Sequence, residues 1–145
     1  MTSAPGDWRP TAARDALAQR ARLLASTRVF FARRGVLEVE TPMLVGHPVT
    51  DVHIQSARVE LEPDAPACFL HTSPEYAMKR LLAAGSGDIY QICRVARGRE
   101  RSRLHNTEFT ILYWYRLGFS LEQLMDEVEA LVRELLGPGA AARMS

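Results

Sequence analysis

Apolar residues recur at helical spacing near both ends of the chain and at strand spacing between them. From Thr11 to Arg34, Leu17, Leu24 and Phe31 fall seven apart with Ala21 between, giving one apolar helix face. Gly35 is placed to close that helix in the left-handed conformation. In residues 36–44 (VLEVETPML), Val36, Val39 and Leu44 stand among β-branched neighbours and predict a strand. Pro42 cannot donate to a ladder, so it ends the strand or lies on an edge. Residues 45–53 read as loop, Ile54 to Glu62 as a loosely alternating strand, and Pro63 to Pro66 as a turn. Cys68 to His71 forms a short strand that leads into a helix ending at Gly85. Thr72 with Glu75 offers that helix a capping box, and Ser73 with Pro74 at the first helical position offers it another start.

Residues 88–96 and Glu108 to Tyr115 are strands joined by a long basic loop, an antiparallel hairpin. The last helix has the clearest signal. Ser120 caps it and Gln123 completes a capping box. Leu121, Leu124, Met125, Val128, Leu131, Val132 and Leu135 make its apolar face, and Gly137 with Pro138 stops it. The sum is an α+β fold, helices around a mainly antiparallel sheet. Residues 1–10 form an arm, residues 11–137 a domain and residues 138–145 a tail.

Composition narrows this picture little. Apolar and charged shares of 47% and 24% are ordinary for a globular chain, and a net charge of +1 provides no overall field for nucleic acid or membrane. The local charge is more telling. Arg94, Arg97, Arg99, Arg101 and Arg103 crowd ten residues at the end of the first hairpin strand and in the loop after it, and Lys79 is the only lysine. Arginine forks suit phosphate. The same loop also suits a solvated basic turn or a contact with RNA backbone. Cys68 and Cys93 form no metal-ligand spacing and fit a reducing compartment. No run approaches the roughly 20 apolar residues of a membrane span. The sequence therefore reads as cytoplasmic.

The chemistry-bearing segments are Ser73-Pro74-Glu75 and the arginine loop. Glu75 can pair with a substrate ammonium, with Pro74 fixing the backbone that aims it, although capping alone also explains these residues. Arg97 can grip a phosphate, and Phe109 on the next strand can stack on an adenine ring.

In order and spacing, FFARRGVLEVETP (Phe30 to Pro42), TSPEYAMKRLLAAG (Thr72 to Gly85) and HNTEFTILYWYR (His105 to Arg116) resemble the catalytic domain of class II aminoacyl-tRNA synthetases of the lysine group. They resemble most closely the elongation factor P–lysine lysyltransferases, over residues 8–136. No anticodon-binding barrel precedes Phe30, which fits that family and makes tRNA an unlikely partner. The resemblance implies an ATP-dependent activation of lysine or β-lysine and its transfer to elongation factor P. It implies ATP and Mg²⁺, and a homodimer through the Phe30 to Pro42 segment. Ser73, Pro74, Glu75 and Tyr115 would contact the amino acid. Arg97 would be the catalytic phosphate clamp. Gly98, Arg99, His105, Asn106 and Phe109 would contact ATP. No metal-ligating residue is assigned.

Three positions depart from the family pattern. Arg99 stands where a glutamate reads the adenine amino group, and Glu100 comes one residue late. Tyr113 stands where a carboxylate is expected. The tail GPGAAARMS is not the Gly-rich third motif that carries a second phosphate-binding arginine. The sequence thus predicts an incomplete synthetase-like domain with impaired activity. It leaves a non-catalytic truncated paralogue or dimerisation module, and synthetase-type aminoacylation, as alternatives.

Overall fold

A computed structural model describes residues 8–98 and 102–137. These residues fall into two compact units: one of helices from the two ends of the chain, the other spanning residues 34–119.

In the helical unit, α1 (Arg14–Ala32) starts three residues later than the apolar pattern predicts. Ala13, its N-cap, has no side-chain acceptor for the free first-turn N–H groups, and Asp15 is the only acidic residue near them. The predicted stripe is buried only at its C-terminal end. Thr27, Phe30 and Phe31 are buried, with the two rings edge to face at 5.2 Å, whereas Leu17 is 54% exposed. Thr27 returns its hydroxyl to the Leu23 carbonyl at 2.8 Å, which satisfies a polar group among apolar neighbours. The partner helix α3 (Leu121–Leu136) begins as the sequence predicts. Ser120 Oγ accepts the Gln123 N–H at 3.3 Å and Gln123 Oε1 accepts the Ser120 N–H at 2.8 Å. Leu131 is buried against this unit's core, while Leu121, Met125 and Val128 on the same predicted face are exposed.

The second unit carries two small sheets. In one, β1 (Leu37–Glu38) lies parallel to β5 (Ile89–Ala96), which pairs antiparallel along its whole length with β6 (Glu108–Tyr115). In the other, β2 (Leu44–Val45) and β3 (Arg58–Val59) flank β4 (Cys68–Leu70), all antiparallel. The predicted strand over residues 36–44 is therefore two strands in two sheets, with Pro42 at the break. The long strand read over Ile54 to Glu62 reduces to β3 and a single bridge from Gln55 to Gly98. Helix α2 (Glu75–Ala83) follows β4 and buries Met78. Val36, Ile89, Tyr90 and Val95 complete the core of this unit.

The start of α2 differs from the predicted capping box. Pro74 is the N-cap, so Glu75 is the first helical residue, not the third, and cannot return to a cap N–H. Ser73 Oγ accepts the Glu75 N–H at 3.2 Å in a local turn, and the Glu75 carboxylate is left for other partners.

Candidate functional site

The junction of β4 and α2 is tied to the end of β5. The Ala96 N–H donates to the His71 carbonyl at 3.2 Å, and the buried His71 ring meets the Arg94 carbonyl through Nε2 at 2.8 Å. These bonds bring the Ser73-Pro74-Glu75 turn beside the root of the arginine loop, although 22 positions separate Glu75 from Arg97. Between them opens a cleft of about 1030 Å³.

Ser73, Glu75 and Arg97 all line this cleft. Arg97 donates from Nε to the Thr72 carbonyl at 3.1 Å, and its guanidinium lies 5.1 Å from the centre of the Phe109 ring. The backbone bond fixes the fork and leaves its terminal N–H groups for an anion. Phe109 thus lies under the arginine. Pro74 is fully buried and acts as a support for the turn rather than as a contact surface. The Gly98 N–H donates to the Gln55 carbonyl at 2.7 Å, and a Cβ at Gly98 would stand 3.3 Å from that oxygen. A side chain there would be crowded against that carbonyl unless one of the two segments shifted by a few tenths of an ångström.

Among the described residues, Gly98, His105, Asn106, Phe109 and Tyr115 do not line the cleft. His105 is exposed, and its Nδ1 meets Ser102 Oγ at 2.9 Å in a loop turn. Asn106 is also exposed. Arg99 and Glu100 lie outside the described residues. Tyr115 lies one pleat along β6 from Tyr113, the ring centres 5.5 Å apart. Its hydroxyl is buried without a hydrogen bond of regular geometry among the described residues.

The electrostatics centre on Glu75. Lys79 Nζ donates to Glu75 Oε1 at 2.6 Å, one helical turn on. This bond holds the Glu75 carboxyl below the usual range, against opposing burial and with a smaller contribution from the Tyr113 hydroxyl. The Lys79 ammonium is raised by the same bond. Burial pushes both the Tyr113 and Tyr115 hydroxyls up, so both stay neutral in physiological conditions.

Sequence reasoning missed part of the lining: Glu40, His47, Asp51 and Arg80. The first three come from irregular segments, which have no period to read. Arg80 was legible, because Tyr76, Ala77, Arg80 and Leu81 fall on one helical face and all line the cleft. Among the described residues no three histidine, cysteine or acidic side chains stand together as a metal cage, and position 113 offers a phenol.

The resemblance implies an antiparallel hairpin within an α+β fold, and the structure has one in β5 and β6, with β1 added parallel to β5. Residues 5–139 match the family model for class II tRNA synthetases (D, K and N), and the chain belongs to that family. Within it, the chain is 50% identical over 143 residues to the elongation factor P–(R)-β-lysine ligase of Vibrio vulnificus (strain YJ016), covering 96% of this chain and 44% of the relative. The proteins of the same name from Haemophilus ducreyi (strain 35000HP / ATCC 700724) and Photorhabdus laumondii (strain DSM 15139 / CIP 105565 / TT01) are 49% and 47% identical over 134 and 147 residues. They align with 90% and 99% of this chain, and with 41% and 45% of their own length. The chain therefore spans less than half the length of these relatives. No helix among the described residues is long and apolar enough to cross a membrane.

Proposed function

We propose that this chain serves the ATP-dependent activation of lysine or β-lysine and its transfer to a lysine of elongation factor P. The observation that carries this reading is the convergence of Ser73, Glu75 and Arg97 on one cleft from separate segments. Glu75 anchors the substrate ammonium, sharing its carboxylate with Lys79. Ser73 and Tyr115 complete the amino-acid contacts, with Pro74 fixing the turn. Arg97 is the catalytic residue: it holds the α-phosphate and stabilises charge that develops as the substrate carboxylate attacks. Gly98, Arg99, His105, Asn106 and Phe109 hold the nucleotide. Arg97 lies over one face of Phe109, which leaves the other face for adenine stacking. No step is assigned to Mg²⁺. The reaction belongs in the cytoplasm, without tRNA.

Exchange of pyrophosphate into ATP tests the reading. Exchange dependent on lysine or β-lysine, and lost in Arg97→Ala, is the expected result. Its absence at high protein concentration overturns a catalytic role for the chain by itself.

A second proposal concerns assembly. Val29, Leu37 and Met43, in or beside the Phe30 to Pro42 segment, are 43%, 58% and 41% exposed. We propose that this segment forms a homodimer interface, which would serve a non-catalytic module as well as an enzyme.

A further inference from the structure

One long edge of β5 faces β1. There the Leu37 N–H donates to the Asp88 carbonyl at 3.0 Å and the Val39 N–H to the Tyr90 carbonyl at 2.9 Å, so even-numbered residues turn their polar groups to that side. Farther along the same edge, at Arg94 and Ala96, the partner is His71. Resting on the amino-acid and nucleotide site proposed above, we propose that His71 is its positioning residue: the ring N–H holds the Ser73-Pro74-Glu75 turn in register with Arg97.

The need for a side chain follows from the backbone. A strand neighbour on that edge would accept the Ala96 N–H and donate its own N–H to the Arg94 carbonyl. The His71 carbonyl does the first, at 3.2 Å. Its N–H is committed to the Met43 carbonyl at 2.9 Å, one position beyond the Leu44 and Leu70 pair of β2 and β4. The imidazole supplies the donor that remains. A carbonyl only accepts, so Nε2 carries the proton that reaches the Arg94 oxygen at 2.8 Å. One buried residue thereby joins the two small sheets, by its N–H to the start of β2 and by its carbonyl and ring to β5. The residues that follow belong to the site. Thr72 is buried and its carbonyl accepts the Arg97 Nε–H at 3.1 Å, and Ser73 Oγ accepts the Glu75 N–H at 3.2 Å. Loss of the ring donor would release this turn from the root of the arginine loop. A small displacement of the Thr72 carbonyl then turns Arg97 away from the phosphate it would hold.

Nitrogen NMR of the full chain tests this without ligand. The wild type should show His71 Nε2 protonated and that proton protected from exchange. It should also show an Arg97 Nε–H signal that Arg97→Lys lacks. His71→Leu keeps the bulk without a donor; it should shift the Arg97 signal and speed its exchange about tenfold, the size of one lost hydrogen bond. His71→Gln carries an N–H the same number of bonds from the backbone and should restore the signal. ATP affinity by equilibrium dialysis should follow the same order, about tenfold weaker in His71→Leu and within about threefold of the wild type in His71→Gln. Added to Arg97→Lys, His71→Leu should weaken binding no further, because it acts through that arginine; damage to the fold alone would make the two losses multiply. An unprotonated Nε2 in the wild type, an unmoved Arg97 signal in His71→Leu, or losses that multiply would overturn the inference. If the wild type binds no ATP, the nucleotide reading falls, and the NMR result still decides whether His71 places the turn.

Discussion

Glu75 shows how one side chain is redirected by a shift of two helical positions. Had it been the third residue of α2, its carboxylate would have capped the helix. As the first residue it reaches Lys79 instead. The pair has a definite pH signature. The folded-state carboxyl is depressed, so its contribution to stability is present above the unfolded value and is lost as pH falls through the folded one. The ammonium is raised, so its contribution holds below its unfolded value and is lost as pH rises through the folded one. Lys79→Met should move the Glu75 carboxyl midpoint upward toward the ordinary glutamate value, followed by carbon NMR of the carboxyl group. An unmoved midpoint would mean that the ion pair is not held in solution.

At Arg97, shape matters as well as charge. Its Nε bond to the Thr72 carbonyl and its cover over Phe109 both need a planar guanidinium. Arg97→Lys keeps the charge and loses both contacts. Nucleotide affinity should fall about tenfold in that variant, read by equilibrium dialysis with ATP. Equal affinity would reduce Arg97 to a point charge.

Among the elements, those specified locally were legible in the sequence, and those specified by distant partners were not. The β6 strand and the Ser120 box are written in adjacent residues and occur as predicted. The split of residues 36–44 depends on β1 finding β5 and β2 finding β4, about 50 and 25 positions away, and only the Pro42 break hinted at it. Likewise Ser73, Glu75 and Arg97 were readable as motifs. The lining from Glu40, His47 and Asp51 was not, because those irregular segments meet the cleft only in the fold. The Ser120 cap and the Gly35 turn, two residues beyond the Arg33 C-cap of α1, give element-scale predictions. Ser120→Ala removes the acceptor for the Gln123 N–H and should cost about 1 kcal/mol in urea unfolding. Gly35 has φ +68° with nothing within 4 Å of a built Cβ, so Gly35→Ala carries backbone strain without a clash. It should destabilise by about 1 kcal/mol, and a stabilised variant would show that the left-handed turn is not kept in solution.

For the molecule as a whole, the exposed apolar side chains beside the first motif bear on its assembled state. A monomer commonly exposes single large apolar residues, so exposure alone decides little. What adds weight is that Val29, Leu37 and Met43 lie within 15 positions of one another, in or next to one family motif, and that β1 is only two residues long. A strand that short is a weak edge, and an interface that covered it would bury Leu37. Light scattering behind a size-exclusion column should therefore give twice the chain mass at micromolar concentration. Leu37→Asp places a charge where that interface would be dry, and should shift the mass to that of one chain while leaving the far-ultraviolet circular dichroism unchanged. A wild type that stays monomeric across the concentration range would remove the dimer from the proposal. A Leu37→Asp variant that remains dimeric would move the interface away from β1.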